Sequence, residues 1–258
     1  MEKNYPEKFG TYFEPFLGGG AVMFNLLSKY SDMKCHVSDL NSNLILAYLA
    51  IRDKATEVIE SLENHSKKYQ KNSNSYYYHV REYEPTSQIE KVSRLIFLNK
   101  TCFNGLYRVN SKGKFNVPLG RYTNPNIVNK ENLLAVSKIL QSSNLEFFCR
   151  DFEQSLHDIK KGDFVYFDPP YQPVSNTSNF TSYTNRNFTN DDLERLVNLA
   201  EKLDSMGCKV LLSNSKSKIV KNSFSSSKWK IREIRVNRAI NSDSKKRTGH
   251  SEILIKNY

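Results

Sequence analysis

Apolar and polar positions alternate along the chain in a way that predicts its elements before any chemistry is considered. Thr11 to Phe16 (TYFEPF) reads as a short strand running into Gly18-Gly19-Gly20, and Ala21 to Tyr30 then reads as a helix. Lys34 to Ser38 (KCHVS) is a second strand, stopped by Asp39-Leu40-Asn41. Leu44 to Lys54 and Thr56 to Tyr69 carry apolar residues at helical spacing. A β-α-β-α beginning predicts a parallel sheet with helices on its faces.

The middle of the chain has another character. Lys68 to Ser75 is polar and reads as loop, Ile89 to Leu98 reads as helix, and Leu133 to Gln141 resumes the helical pattern. Between them, Asn99 to Tyr122 is rich in Asn, Gly, Lys and aromatics, and Arg108 to Val117 suggests a hairpin whose turn is Asn110 to Gly113. Alternating α/β structure then returns. Strands are expected at Leu145 to Cys149, Asp163 to Phe167, Lys209 to Ser213, Trp229 to Val236 and Glu252 to Lys256, with a helix from Asp191 to Met206 capped by Thr189 or Asn190. The simplest architecture is one α/β domain built from residues 1–54 and 142–258, with residues 55–141 inserted as a recognition unit.

Composition narrows the partner. The 258 residues carry a formal net charge of +11, with 38% hydrophobic positions, enough for one good core and a smaller attached unit. From Lys91 to Lys130 there are eight Lys or Arg residues and no acid; from Ser205 to Arg232 there are seven more, again with no acid. Phe97, Phe103, Tyr107, Phe115 and Tyr122 are interleaved with the first group. That pattern suits a surface that tracks a nucleic-acid backbone and stacks on bases, or else a solvated basic face with its aromatics in the core. Cys35, Cys102, Cys149 and Cys208 are far apart, and the five histidines are scattered. Neither a metal site nor a disulfide framework is therefore expected. No apolar run is long enough for a membrane span and no signal-peptide pattern opens the chain, so the expectation is a soluble cytoplasmic protein.

Asp168-Pro169-Pro170-Tyr171 follows the apolar strand Phe164 to Phe167, so it sits where open α/β sheets place their ligands. The prolines stiffen the turn and leave carbonyls free to accept hydrogen bonds. An exocyclic amino nitrogen is a poor nucleophile because its lone pair is delocalised into the ring. A carboxylate and a carbonyl that each accept one of its N–H bonds turn it towards sp³ geometry, and Asp168 and the Pro169 carbonyl fit those roles. Tyr171 fits stacking on a base extruded from its duplex. The alternative is a rigid surface turn.

Two further groups point to a ligand. Phe16-Leu17-Gly18-Gly19-Gly20-Ala21 lies between the first strand and helix, where glycines let the backbone approach a ligand closely. Asp39 ends the next strand about twenty residues on, at the spacing from which an acid holds ribose hydroxyls. The pair reads as an adenosine-binding site, an ordinary turn or a dinucleotide site. Asp151-Phe152, after the strand at Leu145 to Cys149, reads either as a hydrogen-bonding and packing pair for the ligand's adenine ring or as a strand-end cap with a core Phe.

EPFLGGGAVMF, the Asp39-Leu40-Asn41 step, NKTCFNGLYRVNSKGKFNVPLGRY, RDF, DFVYFDPPY and RTGHSEILIKNY together resemble, in order and over nearly the whole chain, the Dam-type DNA adenine methyltransferases of the D12 class. The resemblance implies a Rossmann-like methyltransferase sheet with an inserted, mainly helical recognition region carrying a β-hairpin. It implies S-adenosylmethionine held by Phe16, Gly18, Gly20, Asp39, Asp151, Phe152 and Asp168, with Asp168, Pro169, Pro170 and Tyr171 at the point of methyl transfer. It also implies double-stranded DNA as partner, contacted by Arg108, Asn110, Lys112, Asn116 and Arg121, with GATC the commonest target. A cognate restriction endonuclease and a monomeric state belong to the same expectation. Some relatives place an aromatic wedge where this chain has Val109. The KWxGGK-like segment with which relatives usually open has no counterpart in Met1 to Gly10.

Rival readings are a DNA-binding relative that has lost catalysis, an enzyme acting on the amino group of another base, and a nicotinamide-dependent oxidoreductase. The last accounts for the glycine loop and Asp39 but not for the basic hairpin or the DPPY turn.

Overall fold

The computed structural model describes residues 1–110, 112–171, 188–236 and 250–258. Seven strands form one sheet: β1 (Tyr12–Glu14), β2 (Cys35–Ser38), β3 (Leu145–Phe148), β4 (Phe164–Phe167), β5 (Lys209–Ser215), β6 (Lys230–Val236) and β7 (His250–Lys256). Their order is β3-β2-β1-β4-β5-β7-β6. The first five run parallel, while β7 is antiparallel to both β5 and β6. The order reverses between β1 and β4, so a crevice opens at the carboxyl ends of those strands. This is the mainly parallel sheet with helices on its faces that the β-α-β-α opening predicts, and it is consistent with the Rossmann-like methyltransferase sheet that the resemblance implies.

Helices cover both faces, as a sheet hydrophobic on both sides requires. One face packs Tyr12, Cys35, Val37, Phe164, Tyr166, Leu211 and Leu254 against α1 (Ala21–Leu27) and the start of α2 (Ser42–Lys71). The other packs Phe13, Val165, Phe167, Val210, Leu212, Ile253 and Ile255 against α6 (Asn190–Ser205). Thr189 caps α6 in a reciprocal box with Asp192, which satisfies two otherwise unpaired backbone donors.

A second core lies among the helices of the middle. Val58, Ile59 and Leu62 of α2 meet Tyr77 and Val80 of α3 (Ser73–Glu82), Val92, Phe97 and Leu98 of α4 (Gln88–Thr101) and Leu133 of α5 (Lys130–Ser142). The two helical patterns expected on either side of Lys54 are both present, joined within α2 across a kink where Lys54 leaves helical geometry with φ −140° and ψ 38°. The kink frees the Arg52 carbonyl, which accepts bonds from Ser137 Oγ and Gln141 Nε2 of α5.

The structure corrects two expectations here. Lys68 to Ser75 is not a loop: α2 continues to Lys71 and α3 starts at Ser73, with Asn72 alone between them as its cap. The polar residues lie on outward faces while Tyr69, Tyr77 and Val80 turn into the core. The aromatics interleaved with the basic residues do not form a stacking surface either. Phe97 and Phe115 are buried, Phe103 and Tyr107 half-buried, and only Tyr122 of the five is exposed, because burying these rings outweighs presenting them to water. A short helix, α7 (Lys218–Ser223), was not foreseen. Cys149 is exposed, whereas Cys35, Cys102 and Cys208 are buried. Among the described residues, no helix is long and apolar enough to cross a membrane.

Candidate active site

The carboxyl ends of the first four strands meet around one cavity of about 650 Å³, whose walls include Glu14, the glycine loop, Asp39, Phe152, Asp168 and Tyr171. The loop after β1 is held from below. Gly18 N donates to Asp39 Oδ2 at 3.0 Å and Tyr48 Oη donates to the Gly18 carbonyl at 3.0 Å. Gly18 and Gly20 take positive φ values of 47° and 65°, which side chains rarely adopt. At Gly20 a Cβ would also stand 2.8 Å from Tyr48 Oη, so that position needs glycine for space as well as for conformation. Asp39 Oδ1 accepts from Asn41 N at 2.8 Å, and burial raises the carboxyl's pKa against the opposing pull of these bonds. Each Asp39 oxygen thus spends one lone pair on the backbone and keeps a second.

The other side of the cavity is aromatic. Phe16 and Phe152 stack with ring centroids 5.3 Å apart, and Phe188 meets Phe16 edge-on at 6.1 Å. Arg195, from α6, fixes the Asp151-Phe152 pair. Its guanidinium lies 4.7 Å from the Phe152 centroid and bonds Asp151 Oδ1 at 2.7 Å, Glu153 Oε2 at 2.5 Å and Asp192 Oδ1 at 2.9 Å. Sequence reasoning missed Arg195 because Asp151 and Glu153, which it fixes, lie more than forty positions away.

Asp168 opens the DPPY turn at the end of β4. It is exposed to the cavity, and desolvation by the surrounding protein raises its pKa; bonds from Ser213 and Tyr171 oppose that rise, and the charge of Glu252 adds to it. Ser213 Oγ donates to Asp168 Oδ1 at 2.6 Å. Tyr171 Oη donates to Glu252 Oε2 at 3.0 Å, so its ring is tied to β7. Pro169 is buried and Pro170 exposed. Glu14 also escaped the sequence reading as a site residue. It is fully buried beside this group, and burial pushes its pKa up to about 8, with the Asp168 charge adding to the rise and the 2.8 Å bond from Tyr12 Oη resisting it. The signal that could have found it is an acid in an otherwise apolar strand.

The hairpin expected at Arg108 to Val117 is present as a bridge between Val109 and Phe115, closed by Asn110 N to the Lys114 carbonyl at 2.9 Å and Asn116 N to the Arg108 carbonyl at 3.0 Å. Ser111 of the turn lies outside the described residues, as do residues 247–249 of the C-terminal motif. The five candidate contact residues fall into two groups. Arg108 Nε donates to Asn116 Oδ1 at 2.7 Å, and Asn110 Oδ1 accepts from the backbone of Lys112 and Lys114, so these three side chains already hold the hairpin. Lys112 and Arg121 are exposed. Val109 is buried.

Chemically, the arrangement combines a half-open, half-aromatic cavity, an acid with spare acceptor capacity at one end, and a carboxylate beside a rigid turn at the other. Comparison with known proteins agrees with that chemistry. A family model for D12 class N6 adenine-specific DNA methyltransferases matches residues 1–240. The chain is 40% identical to the Type II methyltransferase M1.LlaDCHI of Lactococcus lactis subsp. cremoris, over 98% of this chain and 88% of the relative. It is also 40% identical to the Type II methyltransferase M.MjaIII of Methanocaldococcus jannaschii, over 100% of this chain and 93% of the relative. With the DNA adenine methylase of Escherichia coli K12 it shares 31% identity, over 98% of this chain and 88% of the relative. The chain belongs to the D12 class of N6 adenine-specific DNA methyltransferases.

Proposed function

We propose that the chain transfers a methyl group from S-adenosylmethionine to the N6 amino group of an adenine extruded from double-stranded DNA, with GATC as its first candidate target. The observation that carries this reading is that Asp168 and the Gly18–Asp39 cradle face one cavity.

The donor set fits the cofactor. Asp39 has a lone pair on each oxygen for ribose hydroxyls, the Phe16–Phe152 pair offers an aromatic wall for an adenine ring, and Gly18 and Gly19 leave open space where a Cβ would stand. Ionised Asp168 on the cavity wall suits a cationic ligand. When bound, S-adenosylmethionine supplies an electrophilic methyl on a sulfonium and departs as a neutral thioether.

The chain's own residues prepare the amino nitrogen. Ionised Asp168 and the Pro169 carbonyl accept its two N–H bonds, which returns the lone pair to the nitrogen. As the new N–C bond forms, the nitrogen becomes positive and one proton passes to Asp168. The raised pKa of Asp168 strengthens it as that acceptor. Tyr171, tied to Glu252, gives the extruded base a stacking face. Residues 55–141 form the target-recognition region, in which Lys112 and Arg121 reach phosphates or base edges at once, and Arg108, Asn110 and Asn116 do so by exchanging their present bonds. The Type II names of the two relatives at 40% identity favour a restriction–modification setting with a cognate endonuclease, and we read the working unit as a monomer.

The test is tritiated methyl transfer from S-adenosylmethionine to a GATC duplex beside a duplex without that site. N6-methyladenine in the first alone is expected. Incorporation into both removes the target assignment, and incorporation into neither removes the activity.

A further inference from the structure

The register of the sheet sets a residue that the motifs do not include against the DPPY carboxylate. Phe167 of β4 pairs with Leu212 of β5, so the next residues, Asp168 and Ser213, are neighbours at the carboxyl end. Ser213 Oγ lies 2.6 Å from Asp168 Oδ1 and is buried, and Tyr166 Oη lies 3.0 Å from Ser213 Oγ on its other side. An ionised carboxylate accepts hydrogen bonds and donates none. The Ser213 hydroxyl must then point at Asp168, and the Tyr166 hydroxyl must point at Ser213. The result is a one-way chain, Tyr166 to Ser213 to Asp168, whose links polarise one another.

We infer that Ser213, backed by Tyr166, is a positioning residue that holds Asp168 by Oδ1 and keeps it ionised, so that its remaining acceptor capacity faces the substrate amino group. The inference rests on reading Asp168 as the acceptor of that group's protons. The titratable groups around Asp168 are Glu14 from β1, Tyr166 from its own strand, Tyr171 from its own turn and Glu252 from β7. Each is an acid or a phenol, and the charge of Glu252 opposes a further negative charge on Asp168. Donated hydrogen bonds therefore hold the charge, and Ser213 supplies a short one from rigid strand backbone.

The experiment is single-turnover methyl transfer between pH 5.5 and 9, using the full chain, tritiated S-adenosylmethionine and a methylatable duplex. Wild type is compared with Ser213→Ala, Ser213→Thr, Tyr166→Phe and Asp168→Ala. Losing a bond that favours the ionised form raises the Asp168 pKa, so the acidic limb of Ser213→Ala should move up by about one pH unit. Its plateau rate should fall roughly ten-fold, with affinities for cofactor and duplex unchanged. Ser213→Thr should restore the wild-type profile, and Tyr166→Phe should move the limb the same way by less. An unmoved limb in Ser213→Ala overturns the inference; should that variant not fold, an unmoved limb in Tyr166→Phe does the same. Wild type without transfer, or Asp168→Ala with full transfer, instead overturns the functional reading and takes this inference with it.

Discussion

The carboxyl edge of the sheet and the hairpin of the helical region hold their polar groups in opposite states. At the sheet edge, Glu14 is buried, Asp39 half-buried and Asp168 exposed to the cavity; desolvation raises the pKa of all three, and each has a fixed hydrogen-bond donor within 3.0 Å. In the hairpin and just beyond it, Lys112 and Arg121 are exposed, while Arg108, Asn110 and Asn116 bond to one another or to the turn backbone. The first region stores electrostatic organisation before any ligand arrives, which is what a site for developing charge needs. The second stores little and must gain its order from the partner, as suits phosphate contacts that position without reading sequence. Chemistry and affinity should therefore be separable by mutation.

The largest break expected is at Asp168. Asp168→Ala should reduce single-turnover methyl transfer by about 10²–10⁴-fold, while fluorescence anisotropy shows duplex affinity within a few-fold of wild type. Parallel loss of both would merge the two regions.

Glu14 gives the next largest effect, seen in stability. In the folded chain burial pushes its pKa up to about 8, above the 4.5 of an ordinary glutamate. The folded state therefore retains a proton that the unfolded state releases. The stability this contributes is complete below about pH 4.5 and is lost as pH rises through about 8. Against Glu14→Gln, the wild-type chain should lose up to roughly 1.4 kcal/mol per pH unit inside that window and nothing further above it. Urea melts of both proteins at pH 5, 7 and 9 check this; parallel pH curves would mean that Glu14 titrates normally.

Asp39→Ala should weaken S-adenosylmethionine binding by about ten-fold or more, since it removes a charged acceptor and frees the glycine loop, and should leave duplex affinity alone. Calorimetric titration of the cofactor measures it. The smallest effect belongs to the hairpin and the segment that follows it. Lys112→Ala and Arg121→Ala should each reduce the slope of log affinity against log salt by about 1, with transfer at saturating duplex unchanged. Slopes equal to wild type would move the phosphate contacts to another face.

The unequal legibility of these regions in the sequence has the same origin. Phe16, Gly18, Gly20, Asp39, Asp151, Phe152 and the DPPY turn could be picked out because each sits at a strand end and its local spacing carries the constraint. Tyr48, Arg195, Ser213 and Glu252 could not, because their partners are set by sheet register and helix packing across 30 to 81 positions. Phe97 and Phe115 misled for a related reason: a basic neighbourhood in sequence does not say which way a ring points, and both turn into the helical core. The polar run around Asn72 looked like loop because exposed helix faces and loops share a composition, and only the burial of Tyr77 and Val80 separates them.

A crystal structure of the chain with S-adenosylmethionine tests the central claim most directly. The account predicts the ribose hydroxyls on Asp39, the adenine ring against Phe152 and the methyl group turned towards Asp168. A cofactor bound elsewhere, or bound in the cavity with its methyl turned away from Asp168, would contradict it.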